Sequence, residues 1–149
     1  MGSKHRGSEE EVGALSAFIN LVRASESVTT RSHGHLPKAG LTGSEFGVME
    51  TLFHCGTLSQ GELAGKLLRA CGTVTATVDR LEKRKLVARK RSIEDRRSVH
   101  VQLTEKGREL VGRIFPKHAR AIAAEFAVLT AAEQRQLRRL CRKLGTGRG

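Results

Sequence analysis

The chain has no tryptophan and no tyrosine, and only five phenylalanines among its 149 residues. Proteins that hold single-stranded nucleic acid stack bases on aromatic platforms, so this scarcity argues against such a role. There is no run of about 18 apolar residues and no apolar signal core near the start, so a soluble, cytoplasmic protein without a membrane partner is expected. Three cysteines, Cys55, Cys71 and Cys141, cannot all pair within one chain, and without an export signal they read as reduced thiols. The sixteen glycines are scattered, with no Gly-x-Gly-x-x-Gly after a strand. No nucleophile–base pair or phosphate-cradling loop is evident, which counts against an enzyme. His33, His35, His54, His100 and His118 form no i, i+4 pair, and there is no Cys-x-x-Cys. Neither a metal site nor another cofactor is therefore expected.

What the chain has in excess is positive charge. Its formal net charge is +12 and its pI about 10.6, values that favour a polyanionic partner. The distribution says more than the total. Residues 9–65 hold three basic against seven acidic side chains, whereas residues 66–113 hold fourteen against six. Double-stranded DNA suits such a concentrated block better than a single strand does.

Helix starts are legible from capping boxes, in which a hydroxyl and a carboxylate three residues apart satisfy each other's backbone N–H groups. Ser8/Glu11, Thr42/Glu45, Ser59/Glu62 and Thr130/Glu133 fit this pattern. They predict a first helix over about 9–31 with Val12, Leu15, Ile19 and Val22 on one face, and a second over about 43–54 ending at Gly56. A short third helix over about 60–67 and a fourth over about 71–84 follow. The fourth carries Val74, Val78 and Leu81 at helical spacing. Thr104 starts a long fifth helix in which Pro116 predicts a kink or break. The stretch "LTAAEQRQLRRLCRKL" predicts a last helix, and short polar tails are expected at 1–8 and 146–149.

Between the fourth and fifth helices lies "RKRSIEDRRSVHVQLT", residues 89–104. Its alternating Val99, Val101 and Leu103 read as a half-buried strand, so the segment predicts a hairpin with arginine at its tip. Helices followed by such a hairpin imply a winged helix-turn-helix. The fold class expected is mainly α, with a two- or three-stranded β-wing. If Val74, Val78 and Leu81 face the core, the fourth helix presents Arg69, Thr73, Ala76, Arg80 and Lys83 to the major groove. At the tip, Arg97 is expected to enter the minor groove, with Asp95 pairing to it. Arg89, Arg91 and Arg96 are expected to meet phosphates. Cys71, at the start of the recognition helix, is a candidate redox switch or else a passive small residue. Cys55 reads as a half-buried thiol and a lesser redox candidate.

The series "DRLE…LV…DRR…V.LTEKG", within residues 41–145, resembles the MarR-type winged-helix transcription regulators. Within that family the chain is most similar to regulators of quinone and catechol stress. The resemblance implies an obligate homodimer whose terminal helices, residues 9–36 and 105–145, interlock around DNA-binding domains formed by residues 37–104. It implies a pseudo-palindromic operator and a repressor released by a small phenolic or quinone ligand or by thiol oxidation. It places Thr73 to Arg80, including Thr75 and Thr77, on the recognition helix, and Asp95 and Arg97 as the wing pair. It also puts an effector cleft between the first, second and fifth helices, where the stripe Phe46, Met49 and Phe53 is expected to line it in part. A non-specific architectural DNA binder is the rival reading, sharing the charge but needing neither dimer nor cleft.

Overall fold

The computed structural model describes residues 4–67, 71–95 and 97–147; Arg69 and Arg96 lie outside this set. The order of elements is α1 (Glu9–Ser32), a 3₁₀ turn η1 (Pro37–Ala39), α2 (Gly43–Cys55), β1 (Leu58–Ser59), α3 (Gln60–Leu67), α4 (Cys71–Lys83), β2 (Val87–Arg91), β3 (Val99–Leu103), α5 (Glu105–Phe126) and α6 (Ala131–Thr146). The boxes at Ser8, Thr42 and Thr130 form with both reciprocal hydrogen bonds. Ser59 and Glu62 exchange theirs at the start of α3. Those bonds from Ser59, side chain first and then backbone, hold the Glu62 carboxyl below its usual range. The cap therefore contributes in full above the ordinary carboxylate range and is lost as pH falls through the lowered value.

The chain divides into two compact units, His35–His118 and Met1–Gly34 with Ala119–Gly149. The first is the winged helix. Its sheet has the order β1-β3-β2 with antiparallel pairing, Val87 opposite Leu103, Arg91 opposite Val99 and Leu58 opposite Val101. Its core closes around Phe46, Met49, Leu63, Val78, Leu81 and Val101, all buried. This unit ends inside α5 and not at residue 104, because Val111 and Ile114 of α5 are buried in the same core.

The second unit contains α1, the end of α5 and α6. Arg31 Nε donates to Glu125 Oε2 at 2.7 Å, and Gln134 Nε2 donates to the Phe126 and Leu129 carbonyls, fastening the α5–α6 turn. Large apolar side chains stay in solvent here: Phe18 is 62% exposed and Leu144 68%, alongside Val12, Leu15 and Leu140. Pro116 does not break α5, which is helical throughout. The carbonyl that the proline leaves unbonded belongs to residue i−4, here Gly112. Both residues are exposed, so that carbonyl lies on the solvent side of the helix, where water can take its bond. Helix α6 runs one residue past its expected end.

The junction after α4 sets the wing's origin. Leu86 N–H donates to Leu81 O and Lys85 N–H to Glu82 O, a Schellman ending with Lys85 in the left-handed region at φ 60°. Leu86 O in turn accepts from Thr104 N–H, and Gly107 lies against it so closely that a Cβ there would strike the Leu86 carbonyl. Lys85→Gly should thus raise stability by about 0.5–1 kcal/mol by relieving the left-handed strain. Gly107→Ala should lower it by about 1–3 kcal/mol through overpacking against backbone. Urea denaturation of the two variants checks both signs.

Candidate nucleic-acid interface

The α4 sequence decides which side chains can meet DNA. Val74, Val78 and Leu81 are buried at helical spacing, which turns Thr73, Ala76, Arg80 and Lys83 to solvent. Thr77, expected through the family resemblance to be a DNA-binding residue of the recognition helix, is 2% exposed. At 100° per residue it falls beside the Val74/Val78 stripe. Its hydroxyl donates to Thr73 O at 3.1 Å and accepts from Arg80 Nη2 at 3.2 Å, so it steadies Arg80 from beneath. Thr75 is half-buried, its Oγ1 accepting from Gln60 Nε2 at 2.9 Å. Cys71 begins α4.

The wing tip is ordered by short local bonds. Ser92 Oγ accepts from the N–H groups of Glu94 and Asp95, and Ser92 N–H donates to Ser98 O. Asp95 Oδ1 accepts from the backbone N–H of Arg97 at 3.0 Å. Among the described residues no ion pair joins the Asp95 and Arg97 side chains. Asp95 therefore shapes the turn, and the expected pairing with the guanidinium is replaced by a bond to the backbone. Lys90, Arg91 and Arg97 are exposed around it.

Arg89 differs from its neighbours. With its side chain 20% exposed, it pairs with Asp79 at 2.6 Å and with Glu82 at 3.1 Å. Its Nε donates to Gln60 Oε1 and its Nη2 to the Thr75 carbonyl, while its own backbone N–H donates to Glu82 Oε2. The expected phosphate contact gives way to a clamp holding β2, α3 and α4 together. Asp79 and Glu82, three apart on one helix face, were the available signal. Gln60 carried none.

Of the expected cleft residues, Phe46 is 1% and Met49 0% exposed, so both belong to the core and offer a ligand no surface. Phe53 is half-buried, with its ring 6.3 Å from Phe115. A cleft of about 410 Å³ opens nearby, lined by His35, Lys38, Ala39, Leu110, Arg113, Ile114 and Lys117. His35 Nε2 is buried without a hydrogen-bond partner. Cys55 is exposed, not half-buried. Among the described residues no cluster of His, Cys, Asp or Glu could hold a metal, and no helix is long and apolar enough to cross a membrane.

Three helices, a three-stranded sheet and an arginine-bearing hairpin beside an exposed helix face define a winged helix-turn-helix protein. The family model of the MarR family matches residues 41–99. The HTH-type transcriptional regulator MhqR of Bacillus subtilis is 38% identical over 132 residues, spanning 89% of this chain and 91% of that protein. The structure of BpsR from Bordetella bronchiseptica, whose DNA binding is regulated by 6-hydroxynicotinic acid, superposes with a TM-score of 0.78 at 29% identity, covering 87% of this chain and 98% of that one. NadR in complex with 4-hydroxyphenylacetate gives 0.76 at 27% identity, covering 97% and 96%. The chain belongs to the MarR family and is a DNA-binding transcription regulator.

Arg89→Ala should weaken duplex binding about tenfold by freeing α4 from the wing, while leaving the slope of log K against log salt unchanged. Removing the exposed Arg91 should instead flatten that slope by about one unit if it contacts a phosphate. Titrations at four salt concentrations separate the two behaviours. Equal flattening in both variants would place Arg89 on a phosphate.

Proposed function

We propose that the chain is a homodimeric repressor that reads a pseudo-palindromic operator and is released by a small aromatic acid or phenol. One observation carries the reading of the interface. The exposed face of α4, with Thr73, Ala76, Arg80 and Lys83, stands in the same compact unit as a hairpin whose Lys90, Arg91 and Arg97 are uncommitted to core contacts. Small residues let the helix backbone approach the base edges, Arg80 reaches a base or phosphate, and Arg97 enters the minor groove. Arg69 and Arg96, also expected to contact DNA, lie outside the described residues.

The dimer is supported by the apolar side chains that the second unit leaves in solvent. Covering Phe18, Leu140 and Leu144 with a second copy removes surface that a lone chain exposes to water.

The release mechanism rests on the cleft. Lys38, Arg113 and Lys117 supply three cations, apolar Leu110 and Ile114 supply a wall, and no carboxylate lines it among the described residues. The buried His35 Nε2 awaits a partner. A flat acid with a phenolic or ring polar group fits this donor set. The two relatives tied to aromatic acids, BpsR and NadR, point to the same ligand class. A quinone-stress role is the corresponding reading of the sequence resemblance to regulators of quinone and catechol stress. Thiol oxidation at Cys71 or Cys55 is the competing trigger.

An operator duplex selected from random-sequence DNA tests these roles together. Sedimentation should show two chains per duplex, and Arg80→Ala should weaken specific binding by about 1–3 kcal/mol at matched salt. A protein carrying Cys55→Ser, Cys71→Ser and Cys141→Ser should still be released by 4-hydroxyphenylacetate or 6-hydroxynicotinate. Loss of that response in the cysteine-free protein would move the trigger to a thiol, and a folded monomer at micromolar concentration would contradict the dimer.

A further inference from the structure

The turn that lines the cleft also holds the end of the recognition helix. Leu36 and Leu41 anchor its two sides in the core at 1% and 4% exposure. Between them Pro37–Ala39 form η1, closed by bonds from Ala39 and Leu41 N–H to Leu36 O and from Gly40 N–H to Pro37 O. Lys38 and Ala39 face the cleft. The next residue, Gly40, adopts φ 72°, and its carbonyl accepts from Arg84 Nη1 at 2.7 Å.

Arg84 follows α4 directly and leads into the Schellman ending at Lys85 and Leu86. The same Nη1 donates to Glu45 Oε2 at 3.2 Å. Glu45 is itself 5% exposed and caps α2 through Thr42. One guanidinium thus joins three places: the cleft's turn, the start of α2 and the end of α4. A Cβ on Gly40 would lie only 3.3 Å from Arg84 Nη2, so a glycine here lets the guanidinium seat closely against the turn.

We propose that Arg84 is the coupling residue of the regulator: a ligand entering the cleft displaces η1, and the Gly40–Arg84 bond carries that displacement to the C-terminal end of α4. This rests on the cleft being the effector site, as inferred above. The residue neither lines the cleft nor lies on the exposed α4 face, so it acts through others. A ligand shifts an equilibrium only by its differential affinity for two arrangements. The turn supplies that difference, because its anchored ends leave Lys38 to Gly40 as the part free to yield when the cleft fills. The coupling is reciprocal, and operator must weaken ligand binding by the factor with which ligand weakens operator binding.

The test uses the full-length protein, the selected operator duplex, and 4-hydroxyphenylacetate and 6-hydroxynicotinate as probes. Ligand affinity is measured by calorimetry on the free protein, and operator affinity with and without saturating probe. In the parent, probe should weaken operator binding about tenfold or more, within the usual range of such couplings. Arg84→Lys keeps a charge beside the buried Glu45. The double variant Arg84→Gln with Glu45→Gln leaves no unpaired carboxylate and retains an amide able to cap α2. In both, probe affinity should stay within about twofold of the parent, while the operator shift falls below about threefold. A full operator shift in folded variants overturns the coupling role, as does loss of probe binding, which would make Arg84 part of the cleft. If the parent binds neither probe, the cleft reading fails first and the coupling with it. Probe binding to the parent without an operator shift overturns the coupling alone.

Discussion

The pairing of Arg89 with Asp79 and Glu82 is the contact on which the DNA-reading surface depends. It fixes how far α4 is turned toward the wing, because both carboxylates project from α4 and the arginine projects from β2. A half-buried guanidinium facing two carboxylates is well placed to specify geometry. Such pairs contribute modest net stability, yet leaving one partner without the other is costly. Gln60 and the Thr75 carbonyl take further donors of the same side chain. Sequence readout needs side chains held to a fraction of an ångström, and this cluster supplies the holding.

A second layer of support sits behind α4. Arg84 ties the helix end to Gly40 and Glu45, and Thr104 closes the base of the wing by donating to Lys85 O at 2.7 Å. Gly107 lets α5 press against Leu86. The winged-helix unit therefore has contacts from both its long helix and its cleft turn converging on the three residues after α4. That convergence makes the junction the natural place for a signal to reach DNA-contacting side chains, whereas the tip of the wing is held by its own short bonds.

The features legible in the sequence are those written in local spacing. The capping boxes lie three residues apart, the Val74/Val78/Leu81 stripe follows helical period, and the hairpin alternates, so each could be read without knowing what it packs on. What escaped depends on neighbours far along the chain. Arg89 looks like any exposed arginine until Gln60, 29 residues away, and the two α4 carboxylates are placed around it. Thr77 lies within the recognition-helix segment, but the core stripe is wide enough to include it, and its hydroxyl is satisfied within the helix. Phe46 and Met49 share a helical face with Phe53, and only packing shows that the first two are core. Asp95 has a nearby arginine side chain and a nearby backbone N–H, and spacing alone does not choose between them.

The exposed α4 face and the arginine-bearing wing together imply sequence reading, beyond attraction to a polyanion. The most direct measurement is the ratio of dissociation constants for a selected operator duplex and a scrambled duplex of equal length at the same salt concentration. A regulator that reads bases should hold the operator at least about a thousandfold more tightly. It should keep a large ratio as rising salt weakens both. A ratio near one, with parallel salt dependence on the two duplexes, would contradict sequence reading and leave a basic protein that coats DNA.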